Sequence, residues 1–232
     1  MKTPESVADL TELGRIRLSE HFFMRDMLYS EVANFHGLPN MPDDPDLAIA
    51  SGSQLCERVL EPLHSAFGGI IVRSAFRSAM VNDYCYQRIS QNTAAYYCGD
   101  NTYSAARHIW DLRDADGYMG ATASIVIPWY IDRFEESGDF RPLAWWICDH
   151  LADYAEVAFF PWLCAFNIRW YEGPSDKAIR WSAPDMPKSK ILTQRGIDGF
   201  DDDHSDHYPG SRKAARHESG GYGRGARAPG GA

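Results

Sequence analysis

Apolar residues recur at helical spacing through the first third of the chain. An apolar face over residues 22–28 is followed by Gly37, a residue type that commonly ends helices. A longer helix is predicted to begin at Pro45, with apolar residues every three or four positions, and to end at Gly68-Gly69. This spacing predicts that the N-terminal part of the domain is helical.

After the long helix the pattern changes to short β-branched or alternating runs. Strands or extended segments are predicted over 70–73, 108–114, 154–160, 165–171 and 177–181. Helices are predicted over 80–90, 121–134 and 142–151, with an entering strand left open at 125–127, and 91–107 is typical of a surface loop. Helices first and strands last predict an α+β class.

Composition divides the chain into three regions. Residues 1–18 are polar and predict a flexible lead-in. Residues 195–232 hold nine of the nineteen glycines in a Gly/Arg/Asp-rich stretch that predicts a disordered tail. The domain is therefore predicted to span 19–194. The acidic run 201–207 in the tail contains metal-capable groups, but a solvated segment is the favoured interpretation.

Composition and charge also narrow the function classes. Hydrophobic residues make up 44% of the 232 residues, which excludes a wholly disordered chain, a collagen and a coiled coil. The net charge of −9 makes nucleic acid an unlikely partner, because an acidic surface repels phosphate. The Gly/Arg-containing C-terminus leaves RNA contact as a minor alternative.

Targeting and redox signals are absent from the sequence. No apolar run reaches the roughly 18 residues of a membrane span, and the charged N-terminus is not typical of a signal peptide. Cytoplasmic synthesis is therefore predicted. Scattered cysteines without a C-x-x-C pair argue for free thiols and against a cysteine zinc knuckle or a disulfide framework. They are Cys56, Cys85, Cys98, Cys148 and Cys164.

His108 and Asp114 are the first candidates for chemistry. If the segment between them is extended, their even spacing places both side chains on one face. An imidazole nitrogen and a carboxylate oxygen there would suit Zn²⁺. The pair alone is a weak signal, and a hydrogen-bonded structural histidine explains it more simply. Nearby Asp111 and Asp116 also fit a solvated acidic turn.

Several motifs together resemble landmarks of the zinc D-Ala-D-Ala carboxypeptidase family, which has the Hedgehog/DD-peptidase fold. They are FFMRDMLYSEVANFHG at 22–37, Leu60-Glu61-Pro62-Leu63, the set Ser74, Arg77, Ser78 and Asn82, and HIWDLRDAD at 108–116. The resemblance covers roughly residues 20–172. It implies N-terminal helices packed on a small, mainly antiparallel sheet.

The resemblance also implies roles for individual residues. His108 matches the first metal-binding histidine of the family. Asp114 matches its metal-binding aspartate, six residues on instead of seven, with Asp116 as the fallback ligand. Arg77 matches the arginine that would hold a substrate carboxylate through a bidentate fork, while an internal salt bridge is the open alternative.

The closing strand departs from the family pattern. Asn167 falls where the family has its third metal-binding histidine, and an amide oxygen is a poor zinc ligand. Asn167, His108 and Asp114 could instead hold a harder or more weakly bound metal. His150 is an alternative third ligand, although a histidine that interacts with the C-terminus of its helix is the favoured interpretation. Cys164 replaces the glutamate that some family members use as catalytic base, which leaves Glu156 as the substitute.

Two functions are therefore expected. In the first, the chain is a zinc metallopeptidase that acts on peptidoglycan stem peptides: Zn²⁺ activates water, Glu156 takes its proton and Arg77 holds the terminal carboxylate. In the second, favoured by Asn167, the chain is a non-catalytic peptidase-fold protein that binds a peptide or a partner. A structural protein with a buried His108 is the third alternative. Reaching the cell wall without a signal peptide would need lysis, a phage particle or another export route.

Overall fold

The computed structural model describes residues 1–90, 98–183 and 189–208 of the chain. It has an α+β fold, which confirms the predicted class. The helices are α1 (Val7–Gly14), α2 (Met24–Met27), α3 (Glu31–His36), α4 (Pro45–Leu55), α5 (Glu61–Phe67), α6 (Ala79–Ser90), α7 (Asn101–Ser104), α8 (Pro128–Ser137) and α9 (Arg141–His150). A π-helical turn, Cys56–Leu60, joins α4 to α5, and a 3₁₀ turn, Ser205–His207, lies near the end of the described chain.

A six-stranded mixed sheet forms the other half of the fold. The strands are β1 (Ile71–Ser74), β2 (Gly120–Val126), β3 (Tyr154–Phe159), β4 (Phe166–Tyr171), β5 (Ala178–Trp181) and β6 (Lys190–Thr193), in the spatial order β1-β2-β4-β3-β5-β6. β3 and β5 pair in parallel, and the other neighbouring pairs are antiparallel. The sheet is therefore mainly antiparallel, as expected.

The pleat of the sheet separates apolar from polar side chains. Ala123, Ile168 and Val157 pair across β2, β4 and β3, are fully buried, and belong to the main hydrophobic core with the helices. Residues that alternate with them point to the opposite side and are mostly half-buried. This opposite surface is named the polar face. Its members are Thr122, Ser124, Glu156, Ala158, Asn167, Arg169, Tyr171 and Arg180.

The long helix predicted from Pro45 is present, with the π-helical turn inside it. The carboxylate of Asp44 caps its first turn by accepting a backbone N–H at 3.1 Å, and Pro45 occupies the first helical position. α5 ends at Gly68 in the left-handed conformation, with φ of 74°. The fully buried Trp110 lies against α4, and the hydroxyl of Ser51 donates to the Trp110 carbonyl oxygen at 3.0 Å.

The polar N-terminal region is packed onto the domain. The hydroxyl of Ser6 caps α1, and Leu13 and Leu18 are buried in the main core. Few apolar residues are present in 1–18, so the composition predicts a loose segment. Leu13 and Leu18 nevertheless anchor the segment, because both are almost completely removed from water.

Residues 195–208, which the composition assigned to the tail, lie partly against α9. The His204 ring stacks on Trp145 with 4.0 Å between ring centroids and 10° between planes. Its Nδ1 lies 2.7 Å from Oδ1 of Asp149. The segment is held by a stacked ring and a carboxylate. Because apolar periodicity does not report such contacts, the sequence pattern did not predict that the segment packs on α9.

Residues 108–114 differ from their prediction. Their alternation predicts an extended segment, but the structure has turns there and a single isolated bridge between Ala105 and Ile109. The predicted strand is wrong because the backbone folds back on itself: the N–H of Ala106 donates to the carbonyl of Leu112 at 2.8 Å. Even spacing therefore does not place His108 beside Asp114.

Two other stretches refine the expected boundaries. Residues 121–134 divide between β2 and α8, because Pro128 fixes the start of the helix. Of the loop predicted over 91–107, residues 91–97 lie outside the described residues, as do residues 209–232 of the predicted tail. Within the described parts of the chain, no helix is both long and apolar enough to cross a membrane.

Gly52→Ala is expected to destabilise the protein by about 1–2 kcal/mol, since overpacking outweighs the better helix propensity of Ala. A Cβ at this position would lie 2.8 Å from Cζ3 of the buried Trp110 ring. Urea unfolding, monitored by tryptophan fluorescence, measures the change in the free energy of unfolding. Ser53→Ala in the same helix is the matched control, with an expected change of less than about 0.5 kcal/mol. Equal stability of both variants would contradict close packing between α4 and Trp110.

Candidate functional site

Glu156 lies at the centre of a charged cluster on the polar face. Its Oε2 lies 2.6 Å from Nη1 of Arg107, and its Oε1 lies 3.3 Å from Nη2 of Arg180. Arg169 is its direct neighbour on β4. Burial alone would raise the pKa of Glu156, but the ion pair with Arg107 and the nearby Arg180 and Arg169 hold it below its ordinary value. Glu156 is therefore an ionised, tightly paired carboxylate.

Backbone contacts bring Arg107 to this cluster from outside the sheet. The N–H of Thr122 on β2 donates to the carbonyl oxygen of Arg107 at 2.8 Å. This bond fixes the turn after α7 to the edge of the polar face. The Arg107 guanidinium also lies over the Tyr103 ring, 4.8 Å from its centroid, which holds the side chain in place.

Arg169 is the most constrained cation of the cluster. Its Nε donates to the carbonyl oxygen of Ala106 at 2.9 Å, and its guanidinium lies 4.1 Å from the centroid of the Tyr171 ring. Burial, with the additional repulsion of Arg107, lowers its pKa to about 10. The charged form of Arg169 is therefore only partly compensated by its surroundings.

Cations outnumber anions in this cluster. Three guanidinium groups, from Arg107, Arg169 and Arg180, surround the carboxylate of Glu156, and Asp114 is the one further carboxylate that acts on Arg169. Nε of Arg180 is buried and has no hydrogen-bond partner among the described residues. A chain with a net charge of −9 thus has a local excess of positive charge here.

His108 and Arg77 lie next to each other. The backbone N–H of Arg77 donates to the His108 carbonyl oxygen at 2.8 Å, and His108 Nδ1 lies 2.9 Å from the carbonyl oxygen of Ala75. Burial, together with the Arg77 charge, lowers the pKa of His108 to about 3. His108 is therefore neutral at physiological pH, with Nδ1 donating to the carbonyl.

Arg77 does not form the internal salt bridge that the sequence left open. Its Nη1 donates to the amide oxygen of Asn82 at 3.1 Å, and none of the described carboxylates forms an ion pair with it. This guanidinium, half-buried beside His108, is thus free to pair with an external carboxylate.

Asp114 serves as a turn residue in the structure. Its Oδ2 accepts the hydroxyl of Tyr171 at 2.5 Å, and its Oδ1 accepts the backbone N–H groups of Asp116 and Tyr118 at 3.1 and 3.0 Å. Burial would raise its pKa, but the Tyr171 bond and these two N–H donors hold it below its ordinary value. Asp116, the fallback ligand, is exposed in the same turn.

Asn167 has no metal-binding side chain opposite it in the sheet. It pairs with Ser124 on β2 and with Ala158 on β3, and Ser124 in turn pairs with Ser74 on β1. These neighbours are neutral and offer a hydroxyl at most. The surroundings of Asn167 supply hydrogen-bonding groups for a neutral ligand, and they lack the imidazole or carboxylate that Zn²⁺ needs.

His150 lies on α9, where it serves as the helix C-terminal histidine. Its ring stacks on Trp146 at 4.7 Å between centroids, and its Nδ1 lies 3.2 Å from the Trp146 carbonyl oxygen. Tyr208 contacts the same ring edge-on. The structure therefore places His150 among the helices and away from Asn167.

Two groups of three described His, Cys, Asp or Glu residues have metal-capable atoms within 4.8 Å of one another: one on α5 and the turn before α2, the other on α9 and the segment after β6. Neither group contains His108, Asp114 or His150. The zinc site expected at His108, Asp114 and Asn167 stays a prediction.

Sequence reasoning missed the arginines of the polar face. The alternation within 165–171 already places Asn167, Arg169 and Tyr171 on one side of a strand, and this signal was available. The approach of Arg107 depends on a long-range backbone bond, so no local pattern indicates it.

No family model matches the chain, and neither a curated protein nor a solved structure matches it. The site is therefore interpreted from the contacts of this chain alone.

His108→Gln tests whether the fold holds a neutral imidazole. The folded pKa of about 3 lies below the ordinary 6.5, so the unfolded chain binds the proton first as pH falls. The resulting stabilisation is complete above pH 6.5 and is lost as pH falls toward 3. The wild type is expected to lose about 2 kcal/mol more than His108→Gln between roughly pH 7 and 5.

Urea unfolding at a series of pH values measures this difference. His207→Gln, at an exposed position, is the control and is expected to follow the wild-type profile. Parallel profiles for the wild type and His108→Gln would show that the folded protein does not depress the pKa of His108.

Proposed function

We propose that this chain is a non-catalytic binding protein whose polar face holds the C-terminal carboxylate of a peptide. The observation that carries the proposal is the surplus of cations around Glu156. Three guanidinium groups lie there against the carboxylates of Glu156 and, beside Arg169, Asp114, which leaves one positive charge in excess.

An anion would complete this charge balance. Burial and Arg107 already disfavour the charged form of Arg169, so a ligand carboxylate beside it stabilises that charge. A guanidinium offers two parallel N–H groups that match the two oxygens of a carboxylate. The charge-assisted bonds are also stronger in a partly buried site than in water.

The remaining polar face suits the rest of a peptide. Asn167 and Ser124 lie one row along the sheet from Arg169, and Ser74 continues the row onto β1. Their amide and hydroxyl groups offer both donors and acceptors to backbone amides. At this end of the face Ala75 contacts His108, whose neighbour Arg77 provides a second cation without a described carboxylate partner.

The same geometry argues against hydrolysis. Glu156 is held by Arg107 and Arg180 with a lowered pKa, so it is a weak base and its oxygens are engaged. His108, Asp114 and His150 belong to neither described group of three metal-capable side chains, and the partners of Asn167 across the sheet are neutral. The binding function therefore has more support than the zinc peptidase expected from the resemblance. A stem peptide that ends in D-Ala-D-Ala is the ligand class that the resemblance suggests.

A titration with two matched peptides tests the proposal. The probes are an N-acetylated tripeptide ending in D-Ala-D-Ala and the same peptide with a C-terminal amide. Isothermal titration calorimetry is expected to show binding of the acid and at least about tenfold weaker binding of the amide, since charge-assisted hydrogen bonds are lost.

Variants locate the binding to the polar face. Arg169→Gln is expected to weaken binding of the peptide with the free carboxylate about tenfold or more. Arg113→Gln removes an exposed arginine that pairs with Glu172 and is expected to bind like the wild type. Equal affinity for acid and amide would overturn the carboxylate proposal. Release of D-Ala in the presence of zinc would instead establish the peptidase function.

A further inference from the structure

A group of metal-capable side chains lies outside the polar face, where α5 meets the turn before α2. It consists of His21, Glu61 and His64, whose ligand atoms all lie within 4.8 Å of one another. Nδ1 of His21 lies 2.8 Å from Oε2 of Glu61, and the two histidine rings stack with 4.1 Å between centroids. Neither the resemblance nor the spacing of the sequence indicated this group.

Two elements hold these side chains in place. Glu61 and His64 are three residues apart on α5, so they share one side of the helix. His21 projects from a tight turn in which the N–H of Leu18 donates to the Phe22 carbonyl at 2.9 Å.

Contacts of Arg17 and Phe22 hold this turn in place. Arg17 donates to the carbonyl oxygens of Ser19 and Glu20 at 3.0 and 2.6 Å. Phe22 is buried in the core and contacts the His64 ring edge-on. The backbone position of His21 is therefore set by the fold, and binding one ion requires one of the two stacked rings to rotate.

Glu61 is oriented toward the two histidines. Its Oε1 accepts the hydroxyl of Ser19 at 2.6 Å and the backbone N–H of His21 at 2.8 Å, which leaves Oε2 facing the His21 ring. Burial would raise its pKa, but these hydrogen bonds hold it below the ordinary value. The carboxylate is thus ionised and fixed by neighbours that a ligand metal would not displace.

We infer that His21, Glu61 and His64 form a binding site for Zn²⁺ that fastens the turn before α2 to α5. Two imidazoles and one carboxylate are a ligand set that zinc takes, with a fourth position left to water. Two tetrahedral ligands of zinc are separated by about 3.3 Å, so the His21–Glu61 pair opens by roughly 0.5 Å on binding. Zinc takes the place of the hydrogen on Nδ1 of His21, and the neutral imidazole then carries its single N–H on Nε2.

The other candidate group, on α9, serves a different purpose. His204 contacts an oxygen through each ring nitrogen: Asp149 Oδ1 at 2.7 Å and the Gly199 carbonyl at 2.8 Å. Each ring nitrogen of His204 thus already lies against a protein oxygen, and neither faces an open position. Burial raises the pKa of the Cys148 thiol, which disfavours the thiolate that a metal needs. His204 therefore provides a matched control.

Zinc binding to the full, untagged chain tests the inference. After chelator treatment and dialysis against Zn²⁺, elemental analysis is expected to give one more zinc per chain for the wild type than for His64→Gln or His21→Gln. Titration calorimetry is expected to show that this site weakens at least tenfold in both variants. The melting temperature should rise with zinc in the wild type and not in these variants.

Two control variants separate this site from other histidines. His36→Gln removes a histidine that bonds the Tyr84 hydroxyl, and His204→Gln removes the α9 contact. Both variants should keep the site, and His207 and His217 near the C-terminus are common to all the proteins. Circular dichroism shows whether each variant folds. Because His21 is exposed, its substitution should be tolerated, and His21→Gln alone tests the zinc site if His64→Gln misfolds. Zinc uptake that is unchanged in His21→Gln, or lost only in His204→Gln, overturns the inference, as does a wild type that binds none.

Discussion

The two-residue period of the central strands is the constraint on which the rest of this structure depends. Each strand of the β2–β4–β3 unit must bury one side against the helices, which fixes its register with its neighbours. The same register then places every alternate residue on the open side. The positions of Arg169 and Asn167 are therefore consequences of burying Ile168, and the candidate site is fixed by the hydrophobic core.

Glu156 has a comparable role among the charged groups. Without its carboxylate, three guanidinium groups would lie together with only Asp114, beside Arg169, to balance them. One glutamate can pair with the guanidinium groups, but its single negative charge does not neutralise all of them. The arrangement therefore combines a fixed geometry with an incomplete charge balance, which is what a preformed anion site requires. The rigid turn that carries Arg107 contributes to this preorganisation through its bond to β2.

Much of the fold could be predicted from sequence because its signals are local. Pro45 and Gly68 mark the ends of the long helix, and alternating residues mark β3 and β4. The site was harder to predict, because its geometry depends on contacts between distant segments. The segment from His108 to Asp114 shows why: its alternation is genuine, but backbone bonds across the loop turn it away from extended structure.

The residues that resemble the peptidase family have structural contacts of their own. Arg77 lies beside His108, and Asp114 accepts hydrogen bonds within a turn and from Tyr171. The histidines with metal-capable geometry, His21 and His64, come together only through the packing of a turn on a helix. Such a juxtaposition has no counterpart in a short sequence motif.

The π-helical turn Cys56–Leu60 has a further consequence for the helix that it interrupts. A π-turn is equivalent to one additional residue in an α-helix, and each residue rotates the helix by about 100°. The turn therefore sets the rotational phase of α5 relative to α4. Removing one residue from it would keep a continuous helix, yet it would carry Glu61 around the axis and away from the turn that presents His21.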